Sequence, residues 1–407
     1  MFLKYALFAF ILLVPFNTLL FVNILNSFIP ILSYWDEIIL MFAAVLWLAN
    51  SGKFHSKYKE LFFLLFIFFI YILATSFRTL EGDILNFFKV HTFPFVLLAL
   101  TLTIKLSNSI KKDLLRIYIY VACFSVFISM LLSFLPESFY LSLGYKQNFW
   151  TDTRLSDSFY ISGSDIRRYN GGFAGPIPYS IYLLSALFLH QKYSTSNTYL
   201  SGATFLILIF GLVMTLTRST LILFIFVTLL FNWQKVFSSS KVLWYSLAFF
   251  IFGFLVFFYT ALTSYESFGY FTSEYQFIEN IVNIGNERSA LGRLEGYPIA
   301  FEKISEAPVF GHGVGEHNSG VIQDMRKIEN EYLATMIDIG FFGTIIYYGI
   351  YIFLYMSSRP NSYERMMIFT LILISMIFPL KYYYNLFLLL FLTIGISISF
   401  NNERKFL

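Results

Sequence analysis

Residues 57–78 read KYKELFFLLFIFFIYILATSFR. The 17 residues of 61–77 carry no charge; Lys57 and Lys59 stand just before them and Arg78 just after. A helix crosses a hydrocarbon core in about 20 residues, and in lipid a helix satisfies every backbone polar group within its own segment. The stretch therefore reads as a membrane span with a basic start. Composition extends the reading to the whole chain. Of 407 residues, 13% are charged, 57% hydrophobic and 21% aromatic, and the mean hydropathy is +0.68. Soluble domains carry about 25% charged residues, so this chain cannot cover itself with a polar surface, and lipid must be its solvent.

Polar punctuation predicts twelve such spans, near 2–22, 30–49, 60–77, 84–104, 113–135, 173–190, 199–216, 219–234, 241–262, 331–356, 363–380 and 384–400. The first, Phe2 to Val22, is too long and too close to further spans for a cleaved leader. Basic clusters fall on alternate connections, from Lys53, Lys57 and Lys59 to Arg404 and Lys405. One side then receives 15 basic and 4 acidic residues, the other 13 and 20. Lys and Arg are retained on the cytoplasmic face. The expected fold is thus an all-α integral membrane protein, a single polytopic domain over 1–407. It has about twelve transmembrane helices, both termini inside, and two large outside loops at about 136–172 and 263–330. Both loops hold aromatic and aliphatic residues throughout, against disorder. The one cysteine, Cys123, lies in an apolar run, which excludes disulfides and thiolate metal sites. No internal repeat is evident, which argues against a transporter built from paired halves. The net charge of +4 is set by topology and points to no nucleic-acid partner.

The outside cations carry the chemical information. Arg218 sits in MTLTRSTLILF (214–224), between two spans with almost no loop. It either snorkels to the interface or faces a protein-lined cavity beside Thr215, Thr217, Ser219 and Thr220. Arg167 and Arg168 precede YNGGFAGPIPYS (169–180), a glycine-rich entry that is either a tight turn or a close approach to a ligand. Arg288 and Arg293 open RSALGRLEGYPIAFEKISEAPVFGHGVGEHNSG (288–320). There Ile299, Phe301 and Ile304 predict a short interfacial helix started by Pro298. Converging arginines suit a polyanion, and in a bilayer a lipid diphosphate is the first candidate; attraction to lipid headgroups is the other reading. For proton transfer this side offers His312, His317, Glu316, Glu329, Glu331 and Asp338, which are otherwise turn and loop residues. Glu81 and Asp83 are the one closely spaced carboxylate pair there, a metal-binding pair or a solvated loop.

Four segments, TLTRS, RYNGGFAGP, GRLEGYPIAFEKISEAPVFGHGVG and ENEYLATMIDIGFFG, together resemble the O-antigen polymerase and O-antigen ligase superfamily. The matching residues are Thr217 and Arg218; Arg293, Tyr297, Ala300, Pro308, Gly311, Gly313 and Gly315; then Glu329, Asn330, Tyr332, Leu333, Asp338, Gly340 and Gly343. Thr217 stands where serine is commoner. Glu329 stands where the ligase pattern has histidine, and the acidic-Asn-x-Tyr-Leu version it makes resembles the polymerases, which tilts the resemblance toward them. It implies a multi-pass protein of the bacterial inner membrane with a periplasmic active face. Such an enzyme moves a growing glycan from undecaprenyl diphosphate onto a carrier-linked repeat unit. Its partners would be undecaprenyl-diphosphate-linked oligosaccharides, membrane lipids and a chain-length regulator protein. On this reading Arg168, Arg218 and Arg293, with Arg288 in reserve, hold the diphosphate. Glu329 or His317 serves as base, and Tyr169, Tyr297 and Tyr332 stack on sugars. No cofactor and no metal are expected. The alternatives are the sibling ligase, joining glycan to lipid A core, and a lipid-linked oligosaccharide flippase.

Overall fold

The computed structural model describes residues 2–17, 19–20, 35, 58–76, 84–103, 106–142, 147–148, 151–155, 167–173, 175–194, 197–238, 288–313, 328, 330–378 and 383–403. In chain order the helices are α1 (Phe2–Leu13, prolonged by a 3-10 turn at Val14–Phe16), α2 (Lys59–Ser76), α3 (Ile84–Thr103), α4 (Asn108–Ser133), α5 (Glu137–Ser142) and α6 (Pro176–Tyr193). There follow α7 (Thr198–Met214), α8 (Arg218–Ser238), α9 (Arg288–Glu306), α10 (Glu331–Ser357), α11 (Tyr363–Ile374) and α12 (Tyr384–Glu403). All but α5 and α9 fall on expected spans; the expected span 241–262, and all of 30–49 except Trp35, lie outside the described residues. Among the described residues α2, α4, α10 and Tyr384–Asn401 of α12 are long and apolar enough to cross a membrane, and α1, α3, α7 and α8 contain shorter apolar stretches. The chain is a multi-pass, mainly helical membrane protein.

Polar residues mark the helix starts. Ser107 caps α4, Asn197 caps α7 and Asn330 caps α10, each accepting a backbone N–H from the first turn. Pro176 opens α6, where its missing N–H costs nothing. At the centre α6 and α12 are buried along almost their whole length. Gly395 lets Thr101 of α3 rest on the α12 backbone, where a Cβ would overlap it. Inside, Tyr363 Oη bridges Ser185 Oγ at 2.8 Å and Thr393 Oγ1 at 2.8 Å, so the buried hydroxyls answer one another. At the periphery α2 exposes Phe63 (65%) and Phe66 (62%), a face that lipid would cover.

The expected all-α class holds, with one short antiparallel hairpin in the 136–172 loop, β1 (Gln147–Asn148) paired with β2 (Thr151–Leu155). One expectation needs correction: α9 starts at Arg288, not at Pro298, which lies inside it on the exposed side. Proline deprives the helix of one backbone bond, but the flanking turns continue past it. Nor does α9 lie free on an interface. Ile299, Ala300 and Ile304 pack with Ile328 onto Leu333, Ala334 and Ile337 of α10, and Phe301 (60% exposed) points away.

The main irregularity is in α10, where Gly340 takes φ 66° and ψ −174° and interrupts the helix. The segment after α9 fills the gap. His312 N donates to Ile337 O (2.8 Å) and Gly313 N to Asp338 O (3.0 Å), while Phe341 N donates back to Pro308 O (2.9 Å). Tyr71 Oη from α2 takes up Ile339 O at 2.7 Å. A Cβ on Gly340 would stand 2.5 Å from Val309 O, and one on Gly311 2.5 Å from Gly340 N. Gly340→Ala is therefore expected to lower the melting temperature of the detergent-purified protein by several degrees. A backbone at φ 66° and ψ −174° is one that essentially only glycine adopts, and it costs an alanine about 1–3 kcal/mol. Gly349→Ala, in the same helix with nothing within 4 Å of its would-be Cβ, should leave the melt unchanged or raise it. Equal melts for the two variants would contradict the tightness of this junction.

Candidate functional site

Between Met214 at the end of α7 and Arg218 at the start of α8 only three residues intervene. The chain reverses there by placing Leu216 at φ 53°, a conformation that costs a branched residue energy and persists only where the surroundings enforce it. Thr215 turns its hydroxyl back to Leu212 O (2.7 Å), and Thr220 does the same to Thr217 O (2.8 Å). Both hydroxyls are thus spent on their own helices.

The segment 167–173 docks onto this turn. Tyr169 N donates to Met214 O at 3.0 Å. Arg168 Nε donates to Thr215 O and its Nη2 to Thr217 Oγ1, both at 2.8 Å. These two bonds fix the plane of the Arg168 guanidinium. Its pKa is held down to about 10, first by burial and then by the positive charge of Arg218, against a raising influence from Tyr383. Arg168 stays charged at neutral pH, yet it bears the field of a second, exposed guanidinium. Two cations so placed favour an anion near both. Arg167 turns elsewhere, donating to Leu135 O (2.5 Å) over the Tyr140 ring.

Arg288 and Arg293 lie on the first half of α9, with their side chains outside the described residues. Glu316, His317 and Glu329, and the pair Glu81 and Asp83, also lie outside them. Asn330 Oδ1 accepts Leu333 N at 3.2 Å and so opens α10 right after the Glu329 position. Glu331 is fully buried: it accepts Tyr347 Oη at 3.1 Å, and its backbone N donates to Ser375 O at 2.8 Å. His312 holds Lys303 O through Nε2 (2.7 Å) and stands 3.7 Å from Glu306, whose carboxyl the Lys303 hydrogen bond keeps below the usual range.

The three tyrosines differ. Tyr169 is buried edge-on against Phe210, with ring centroids 6.2 Å apart, so its ring offers no open face to a sugar. Tyr332 stacks on Tyr348 at 4.1 Å and donates to Ile372 O at 2.9 Å. Tyr297 is half-buried on α9.

Two residues that the sequence did not bring together meet in the structure. His91 of α3 and Asp338 of α10, each 2% exposed, stand 3.9 Å apart immediately before the break at Gly340. A lone histidine in an apolar span was the available signal; its partner, far along the chain, had none. Among the described residues no three His, Cys, Asp or Glu cluster to hold a metal ion.

No curated protein matches the chain. Residues 203–348 match the family model described as O-Antigen ligase. The matched stretch begins in α7 and ends in α10, so it holds the Arg218 turn, α9 and the broken helix, while Arg168 reaches the turn from outside it. Over that stretch the chain is similar to the O-antigen ligase family, the resemblance to which its motifs also point.

Proposed function

We propose that this chain is a polysaccharide polymerase of the bacterial inner membrane. It spans the bilayer about twelve times with both termini cytoplasmic, and it works on its periplasmic side. It moves the growing glycan from undecaprenyl diphosphate to a hydroxyl on the non-reducing end of a carrier-linked repeat unit. The observation that carries the reading is the Arg168–Arg218 pair on the α7–α8 turn. In the reaction the bond from the anomeric carbon to the diphosphate oxygen breaks and its electrons stay with the diphosphate. The acceptor oxygen bonds to the anomeric carbon and loses its proton to a base. Arg168 and Arg218, with Arg293, bind the leaving diphosphate; Glu329 takes the proton, with His317 as the rival. Neither step calls for a metal ion, and activity in excess EDTA is the expectation.

The ligase reading has its own support in the description of the matching family. Deleting the gene separates the two on a gel of surface glycan. A polymerase deletion leaves a single repeat on the core, and a ligase deletion leaves polymer that never reaches the core. A deletion with no surface glycan at all points instead to a flippase.

Two sets of variants test the assignment of roles. Arg168→Ala, Arg218→Ala and Arg293→Ala should each abolish polymer while the protein stays at normal level in the membrane. Arg168→Lys should also fail, since one ammonium cannot replace a fork held by Thr215 and Thr217. Full-length glycan from the Arg168 and Arg218 alanine variants would refute the diphosphate clamp. Glu329→Gln keeps the shape and cannot accept the proton, so turnover should fall by about 10²–10⁴-fold, the usual worth of general-base catalysis, with little change in melting. A near-normal Gln variant beside an inactive His317→Ala hands the base to the histidine.

A further inference from the structure

At the opposite end of the bundle lies a second basic site. Helix α6 starts beside the segment that carries Arg168 and runs 18 residues, about 27 Å, to Tyr193. There a pocket of about 320 Å³ opens among the first turn of α4, the end of α6, the α10–α11 turn and the end of α12. Its charged lining is Lys112, Lys192 and Arg359, joined by Asn361, Ser362 and Asn401, with no carboxylate among the lining residues.

Cations at the C-terminal ends of α6 and α10 would ordinarily complement the helix dipoles by bonding the last carbonyls. Arg359 does not do this. Its Nε and Nη2 are shielded from solvent and meet no acceptor among the described residues. The turn that bears it is rigid. Ser362 donates to Arg359 O through both N (3.3 Å) and Oγ (2.8 Å), and Asn361 sits in the left-handed region at φ 56°. Leaving two guanidinium donors desolvated and unanswered is costly, and an oxyanion entering the pocket beside them would offset that cost. Glu364, two residues past Ser362, is buried and already receives Ser397 Oγ (2.7 Å) and Asn401 Nδ2 (3.2 Å). The volume is roughly ten times a water's share of about 30 Å³, room for a phosphate with a small substituent.

We infer that this pocket binds a phosphate group, carried either by the headgroup of an anionic phospholipid or by free phosphate. The site is separate from the Arg168–Arg218 turn and does not depend on which glycan reaction the protein performs. The test uses the full-length protein purified in a neutral detergent. Its probes are dihexanoylphosphatidylglycerol and inorganic phosphate, with binding read by native mass spectrometry and by the shift in melting temperature. Arg359→Gln and Lys192→Gln are each expected to weaken binding about tenfold, the scale of losing one hydrogen bond to a charged group. Lipid that binds and is displaced by millimolar phosphate supports the site with phosphate as a sufficient ligand. Lipid that binds and resists phosphate supports it with the lipid headgroup as the source. No binding of either probe, or lipid binding equal in wild type and both variants, overturns the inference. If Arg359→Gln does not fold, the melting curve shows it and Lys192→Gln carries the comparison alone.

Discussion

Inside a bilayer a backbone carbonyl without a partner costs several kcal/mol, so a broken helix survives only where protein replaces the lost bonds. That constraint governs the part of this molecule built around α10. The break at Gly340 releases the carbonyls of Ile337, Asp338 and Ile339, and His312, Gly313 and Tyr71 collect them. The loop after α9 is thereby sewn into the bundle, with Gly311 and Gly340 in backbone contact. Because Ile299, Ala300 and Ile304 of α9 rest on the same part of α10, the helix bearing Arg288 and Arg293 is held there as well. The break also fixes Asp338 beside His91 in the bundle interior. One missing Cβ thus ties together the loop, the arginine helix and a buried ionisable pair.

The spans were legible in the sequence because the physics that makes them is local. An uncharged run of apolar residues becomes a helix in lipid whatever its neighbours do, and runs such as 61–76 did so. The Arg218 turn was legible for the same reason, since two spans with almost no residues between them leave an arginine nowhere else to go. What failed was the rule that proline starts a helix. Pro298 sits on an exposed face, where the missing bond is tolerated and packing of Ile299 and Ile304 sustains the turn around it. Nor did composition reveal the hairpin at 147–155, whose strands are too short for any alternation to register.

The site was legible only in part. Sequence marked Arg168 and Arg218 separately as cations near glycines and hydroxyls. That Arg168 reaches across to Thr215 and Thr217, and so feels Arg218, depends on how 167–173 crosses the end of α7. The pairing of His91 with Asp338 is likewise a product of packing between α3 and α10. Tyr169, which looks like a sugar platform in a glycine-rich loop, instead spends its ring on Phe210 and its backbone N–H on Met214.

The arrangement of the two arginines bears on how the proposed reaction would be accelerated. Repulsion between two cations is weak in water and grows as burial lowers the effective dielectric; the downward pull of Arg218 on Arg168 records it. A bound diphosphate relieves that repulsion, and it does so more strongly as negative charge accumulates on the departing oxygen. The clamp would therefore hold the transition state better than the intact donor, which is the condition for raising turnover rather than affinity alone. Lysines would give the same net charge without the fixed plane that Thr215 and Thr217 impose on Arg168. The strained Leu216 fits the same account. A three-residue reversal brings the start of α8 back beside the end of α7, so the second guanidinium enters the field of the first. A longer, relaxed loop would let Arg218 move away from Arg168, and screening over the added distance would remove most of its effect.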